Sequence, residues 1–233
     1  MKSFISGITP RRLIQYLLGL LLMPFGIVTI QQCAIGVSPT SAFPFSLSAI
    51  TGLSFGMWTA LFNCLCVLLQ LIITRKLRLS LALQFVLAVV FGWLIDLFSA
   101  MYGALRLDIA NASYFLRIPV CLIGIAVQAL GIVLILGAEL LLPPGDSFMR
   151  TVSTQYGKPL PKTKIVCDFL WVGLALIVYL IGFITVPERV TLQKLLGTVN
   201  LGTILSAYGC GKLIGFYRRL FPALDMYRAQ AGH

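Results

Sequence analysis

Histidine is almost missing from the 233-residue chain: the one copy, His233, is the last residue. Paired His/Glu or His/Cys zinc ligands inside the chain are thereby excluded, and the carboxylates are not clustered enough to replace them. Charge is also scarce. Only 11% of residues are charged, against about a quarter in an ordinary soluble domain. That excludes both a soluble enzyme and a disordered chain, and it leaves no polar stretch long enough for an extramembrane domain. The six cysteines, Cys33, Cys64, Cys66, Cys121, Cys167 and Cys210, lie in or beside apolar runs without C-x-x-C spacing. They read as small buried hydrophobes, not as disulfides or metal ligands. No nucleophile stands in sequence with a base, so the expectation is a protein that is not an enzyme and has no metal and no cofactor.

What the chain has in excess is apolar length. Hydrophobic residues make up 59% and the mean hydropathy is +0.97. Six segments, about 12–33, 55–74, 80–102, 115–142, 164–186 and 197–217, suffice to cross about 30 Å of hydrocarbon at about 1.5 Å per residue. The first follows Lys2, Arg11 and Arg12 but is longer than a signal-peptide core and is not followed by an A-x-A-like site, so it is expected to stay as a helix. Two stretches of about a dozen residues, about 40–51 and 145–156, are too short and too polar to span.

The cations sort by side. Fourteen Lys and Arg fall at the N-terminus, in the 75–78 and 143–164 loops and at the C-terminal end, and four, Arg106, Arg117, Arg189 and Lys194, in the alternate loops. The excess predicts both termini in the cytoplasm. Orientation thus accounts for the net charge of +11 without a nucleic-acid partner; the basic C-terminal end, Lys212, Arg218, Arg219 and Arg228, is suited to anionic lipid, and 221–233 is expected as a cytoplasmic tail.

The second half also repeats the first. At an offset of 105 residues Gly26-Ile27-Val28 falls on Gly131-Ile132-Val133, Pro39 on Pro144, Phe43 on Phe148, Ser48 on Ser153, Gly52 on Gly157 and Asn63 on Asp168. At 119 Ala88 falls on Ala207 and Gly92 on Gly211. The predicted fold is therefore all-α and polytopic: two three-helix repeats, 1–105 and 113–220, of inverted topology because three crossings is an odd number. Each has a short broken or re-entrant helix after its first span. Secondary transporters use this plan, with the site at the repeat interface.

The interruptions are Gly36-Val37-Ser38-Pro39-Thr40-Ser41 and Pro143-Pro144-Gly145-Asp146-Ser147. Proline ends one helix and can open the next, so Ser38, Thr40 and Ser41, or Asp146 and Ser147, are suited to cap short helices over 42–51 and 148–156. If these enter the membrane from opposite faces, their N–H groups point towards the midplane. The candidate substrate-binding set is Gln31, Gln32, Ser38, Pro39, Thr40, Ser41, Asn63, Pro144, Gly145, Asp146 and Ser147. Asp96 and Asp168 are candidate coupling groups, because an intramembrane carboxylate is costly without a role or a partner. Glu139 and Lys212 sit near the cytoplasmic boundary, where snorkelling accounts for them. Gln70, Gln84, Gln128, Thr203 and Ser206 read as interhelical hydrogen bonders. Gly211-Lys212-Leu213-Ile214-Gly215 is a G-x-x-x-G run suited to close helix packing, which says nothing about dimerisation; a homodimer is left open on other grounds.

Several of these runs together, Ile35-Gly36-Val37-Ser38-Pro39, Gly92-Trp93-Leu94-Ile95-Asp96, Leu142-Pro143-Pro144-Gly145-Asp146, and Gly202-Thr203-Ile204-Leu205 on to Gly211, resemble the YczE/YyaS/YitT group of bacterial integral membrane proteins. The likeness is to its shorter form, without the soluble C-terminal domain of YitT-type members, and Thr40 departs from the aromatic residue that many members place after the proline. The resemblance implies a multi-pass protein of the bacterial cytoplasmic membrane that acts as a transporter or permease of undefined substrate. The functional expectation is a secondary carrier of a small polar or amphipathic solute. A substrate-capture subunit of a multi-component importer and a structural or regulatory membrane protein are the alternatives.

Overall fold

The computed structural model describes residues 9–76 and 79–221, and these are helices and connecting turns without a strand. In chain order the helices are α1 (Pro10–Gln32), α2 (Pro39–Thr51), α3 (Phe55–Thr74), α4 (Leu79–Ala104), α5 (Tyr114–Ala138), α6 (Pro144–Gln155), α7 (Leu160–Thr185), α8 (Leu192–Thr198) and α9 (Leu201–Leu220). Lys2, Arg78, Arg228, His233 and the predicted tail beyond Phe221 lie outside the described residues.

Five helices, α1, α3, α4, α5 and α7, are long and apolar enough to cross a membrane. Their outward faces carry large exposed side chains such as Leu61, Leu65 and Ile72 on α3, Val86 and Val89 on α4, and Leu180 and Ile184 on α7. A surface like this is stable only against lipid, and the chain is a membrane protein. The sixth predicted span is not continuous. Its first residues belong to α8, and Asn200 then opens α9 with a capping box shared with Thr203. Although 20 residues long, α9 is not among the helices apolar enough to span; Lys212, Arg218 and Arg219 lie within it.

α1 and α5 form the central crossing, and they run antiparallel. Glycine lets their backbones touch. A Cβ on Gly26 would stand 2.5 Å from the Gln128 nitrogen, and one on Gly131 would stand 2.5 Å from the Met23 nitrogen. One turn or two further out, Gly19 meets Ile135 and Gly124 meets Ile30. As the number rises on one helix it falls on the other, which is the signature of an antiparallel pair. α3 and α4 make a second close crossing at Gly56 and Gly92, again backbone on backbone.

Two predicted ends are corrected. The fourth span stops at Ala138, not near 142, because Glu139 takes up a left-handed conformation at φ 52°; Leu140, Leu141 and Leu142 then lead in non-helical backbone to the prolines. The two short helices begin at Pro39 and Pro144, several residues before the positions predicted. Proline at the first helical position has the right φ and needs no donor. Thr40, Ser41, Asp146 and Ser147 consequently lie inside the first turn and not ahead of it, and neither helix has a side-chain cap.

The two short helices point at each other along α7. The outer end of α2 lies against the far end of α7: Ile50 packs on Gly182, and Arg189 Nη1 donates to the Thr51 carbonyl at 3.1 Å. The outer end of α6 leads into the near end of α7 through Lys158, whose carbonyl accepts from Ser153 Oγ at 2.7 Å. α7 has 26 residues, about 39 Å at the helical rise, so the outer ends lie far apart and the proline ends converge.

Candidate functional site

The convergence point is Thr40 against Gly145. A Cβ on Gly145 would stand 3.6 Å from Thr40 Cγ2 and 3.6 Å from Asn63 Oδ1. Around it opens a cavity of about 760 Å³, within the range of small-molecule sites. Its floor is the two proline turns, with Ser38, Pro39, Thr40 and Ser41 from one and Gly145 and Asp146 from the other. Met23 and Ile27 of α1, Phe62 of α3, Phe91 of α4 and Ile135 of α5 supply apolar wall. From α2 the lining stops at Pro44, whereas from α6 it continues through Arg150 to Thr154, joined by Glu139, Leu160 and Arg218. The cavity therefore extends from the meeting point towards the outer end of α6.

Local bonding explains how these side chains are held. Ser38 Oγ donates to Ser41 Oγ at 2.9 Å, which closes the first turn of α2 from within. The extended segment before it is pinned to the α8–α9 corner: Gly36 and Val37 donate to the carbonyls of Gly197 and Thr198 at 3.1 and 3.0 Å. Gly36 is needed there, since its φ is +118° and a Cβ would stand 2.6 Å from the Thr203 nitrogen. α6 is tied by side chains instead. Gln70, 1% exposed, accepts from Ser147 Oγ at 2.9 Å and donates to Gln84 Oε1 at 3.1 Å and to the Pro144 carbonyl at 3.3 Å. Gln84 closes the triangle by donating to Ser147 Oγ at 2.9 Å.

Three charged side chains meet at the centre. Lys164 Nζ stands 3.0 Å from Asp168 Oδ2 and 3.3 Å from Oδ1, one helical turn apart on α7. The Thr40 hydroxyl lies close enough to Asp168 to act on its carboxylate. Asp146, in the first turn of α6, is half-buried and lines the cavity. Lys164 and Asp168 act on it through space.

The predicted site residues divide on this geometry. Ser38, Pro39, Thr40, Ser41, Asn63, Gly145 and Asp146 line the cavity, and Asp168 stands just behind Thr40. Pro144 and Ser147 face the Gln70 and Gln84 amides. Gln31 and Gln32 lie in the last turn of α1, beyond Ile27, the last α1 residue on the cavity wall. Asp96 is elsewhere: its carboxylate accepts from Ser54 Oγ at 2.6 Å and from the Gly56 N–H at 2.8 Å, closing the N-terminus of α3. Lys164 lines the cavity without being among the predicted site residues, and so do Gln128 and Ser206, which the sequence suggests only as interhelical hydrogen bonders. The Lys164/Asp168 spacing of one turn was the available signal for the first, whereas nothing in sequence distinguishes Gln128 from Gln84.

The described residues hold no group of three or more His, Cys, Asp or Glu able to bind a metal. The site is suited to reversible binding, since it combines apolar walls, a few convergent polar groups and a passage to one side.

The chain is similar to the uncharacterized membrane protein YczE of Bacillus subtilis (strain 168), at 31% identity over 144 residues, or 61% of this chain. The match covers 63% of that relative's length. No solved structure matches the chain. The family of unknown function DUF6198 matches residues 10–219, nearly the whole of the described helices, and the chain belongs to that family.

Proposed function

We propose that the protein is a secondary carrier of a small polar or amphipathic solute, working by alternating access in a bacterial cytoplasmic membrane. It has six crossings, with α9 as the sixth and both termini cytoplasmic. The observation that carries this reading is the meeting of two proline-initiated half-helices, Thr40 against Gly145, beside a cavity of about 760 Å³ that extends to one side only.

The reading takes the halves as inverted repeats, and the contacts support it through reciprocity. In the 105-residue register Gly26 corresponds to Gly131 and Met23 to Gln128; Gly26 meets Gln128 while Gly131 meets Met23. Gly19 corresponds to Gly124 and Ile30 to Ile135; Gly19 meets Ile135 while Gly124 meets Ile30. Thr40 and Gly145 are counterparts and touch each other, and Asn63 stands by Gly145 as Asp168 stands by Thr40. Such pairing follows from a two-fold axis through the site, the arrangement in which exchanging the conformations of the halves moves the opening to the other face.

The test is uptake into proteoliposomes over a panel of amines, carboxylates, sugars and amino acids, with and without a proton gradient. The same protein is then made with Thr40→Cys and Gly145→Cys in a background lacking the six native cysteines. Oxidation should join the two turns and stop uptake, and reduction should restore it. Wild-type uptake by the oxidised, fully cross-linked protein would contradict alternating access about this point, and no uptake of any solute by the unmodified protein would contradict the carrier.

A further inference from the structure

We infer that the solute is an organic amine, carried as its ammonium ion with an apolar body, and that Asp146 and Gln128 receive its N–H groups. This rests on the carrier reading only for the word carried; the binding site stands on the side chains themselves.

Ion pairs and hydrogen bonds already made inside the protein narrow the polarity of the site. Lys164, the cation nearest the centre, has both Asp168 oxygens within 3.3 Å. Asp168 in turn has Thr40 at its side. Asp146 lines the same cavity, and among the described residues no hydrogen-bond donor reaches its carboxylate. Gln128 of α5 is 6% exposed, lines the same cavity, and has its Oε1 without a partner. A buried amide oxygen left unpaired costs free energy that a donor recovers. Among the described groups at the turns Asp146 is the charge left without an ion pair or hydrogen bond, and it accepts, as the Gln128 amide oxygen does; the Asn63 amide beside Gly145 can do either. An ammonium offers a positive charge and up to three N–H donors.

The opposite assignment meets an obstacle. Two converging helix N-termini would ordinarily attract an anion, but each already has a carboxylate on it. Asp146 sits within the first turn of α6, and Asp168 lies against Thr40 in the first turn of α2. An anion entering here would face both. Arg150, Glu139 and Arg218 line the outer reach of the cavity, towards the end of α6, where Glu139 also has Arg12 at 3.8 Å. They belong to the entrance and not to the turn contacts. The remaining wall beside the acceptors, Met23, Ile27, Phe62 and Phe91, suits a hydrocarbon body and offers aromatic faces to a cation.

The experiment measures binding to the purified full chain in nanodiscs by calorimetry, using arylalkyl and alkyl amines of four to ten carbons. Carboxylates and alcohols of the same carbon skeletons serve as matched probes. Amines should bind more tightly than their matched partners, and Asp146→Asn should weaken them roughly ten-fold or more. Gln128→Leu should weaken them less, and Asp146→Glu should restore part of the loss. Thermal unfolding of each variant separates lost binding from lost fold, with Asp146→Glu as the folded comparison if Asp146→Asn does not assemble. Carboxylates or alcohols binding as well as amines, no amine binding at all, or amine binding indifferent to Asp146→Asn in a folded protein would each overturn the inference. Asp146-dependent amine binding without uptake would uphold it and sink the carrier reading; uptake of a solute lacking an amine would do the reverse.

Discussion

Placing a methyl group on Gly26 tests the central crossing directly. Its carbon would lie 2.5 Å from the Gln128 nitrogen and 2.7 Å from the Gly124 carbonyl oxygen, and both are backbone atoms that cannot rotate away. Ordinary contact is about 3.5 Å, so α1 and α5 have to part by about 1 Å, and small-to-large changes of this kind cost about 1–3 kcal/mol. Alanine gains up to about 1 kcal/mol of helix preference over glycine, which leaves Gly26→Ala destabilised by as much as about 2 kcal/mol. Gly131→Ala should lose about the same, because its Cβ would stand 2.5 Å from the Met23 nitrogen. Gly173 on α7 has nothing within 4 Å of a Cβ, so Gly173→Ala keeps only the helix gain and should be neutral or slightly stabilised. The double variant should cost less than the two single changes together, since one separation of the helices relieves both clashes. Unfolding in mixed micelles titrated with sodium dodecyl sulfate and followed by circular dichroism reads all four. If Gly26→Ala and Gly131→Ala group with Gly173→Ala, the helices do not touch there and the reciprocity of the halves loses its support.

Gln70→Leu removes the links to Gln84 and Ser147, and at about 0.6 to 1.7 kcal/mol for an interhelical hydrogen bond the same titration should show a loss of about 1–3 kcal/mol; an unchanged midpoint would mean that α6 is held by packing alone. Asp96→Ala deprives the first turn of α3 of its acceptor for Ser54 and Gly56 and should cost about 1–2 kcal/mol, while uptake per folded molecule stays at the wild-type level. Lost uptake at unchanged stability would instead return Asp96 to the transport machinery.

Legibility followed the physics of each feature. The apolar spans are visible because length and hydropathy are summed over many residues, and the proline breaks because two substitutions of the backbone donor stand at one register. Serine and aspartate at the breaks suggest caps and hence a later helix start, but proline at the first position makes a cap unnecessary. Glu139 ends α5 in a conformation that glycine or asparagine usually signals, and no pattern reveals it. Charge counting puts Lys164 in a loop, because it fixes the orientation of loops and carries no information on depth. α7 begins four residues earlier, at Leu160, and that turns the loop cation into the partner of Asp168. Asp96 looked like an intramembrane charge in need of a task. Its task is local: Gly92, one turn away, brings the α3 backbone close enough for the carboxylate to reach the Gly56 N–H.

On the inverted-repeat reading the sequence differences between the halves set which face is open. Position 70 corresponds to position 175, and these residues treat their half-helices differently. Gln70 ties the Pro144 turn by two hydrogen bonds, to its carbonyl and to Ser147, and is itself bonded to Gln84 of α4, whereas Ala175 packs against Val37 and Ala42 beside the Pro39 turn. The α6 side, along which the cavity runs, is thus held by polar links from α3 and α4. The α2 side is closed by apolar contact and, at its outer end, by Arg189 donating to the Ile50 and Thr51 carbonyls at 3.4 and 3.1 Å. An exchange of conformations has to break both sets. Side-chain links of about 1–3 kcal/mol in all are of the size that separates two exchanging states, so a solute that binds the closed form better by that amount suffices to drive the exchange. Replacing Gln70 with the alanine of the other half removes this bias, which moves the population towards the conformer open at the α2 end; under the predicted orientation that end is the extracytoplasmic one.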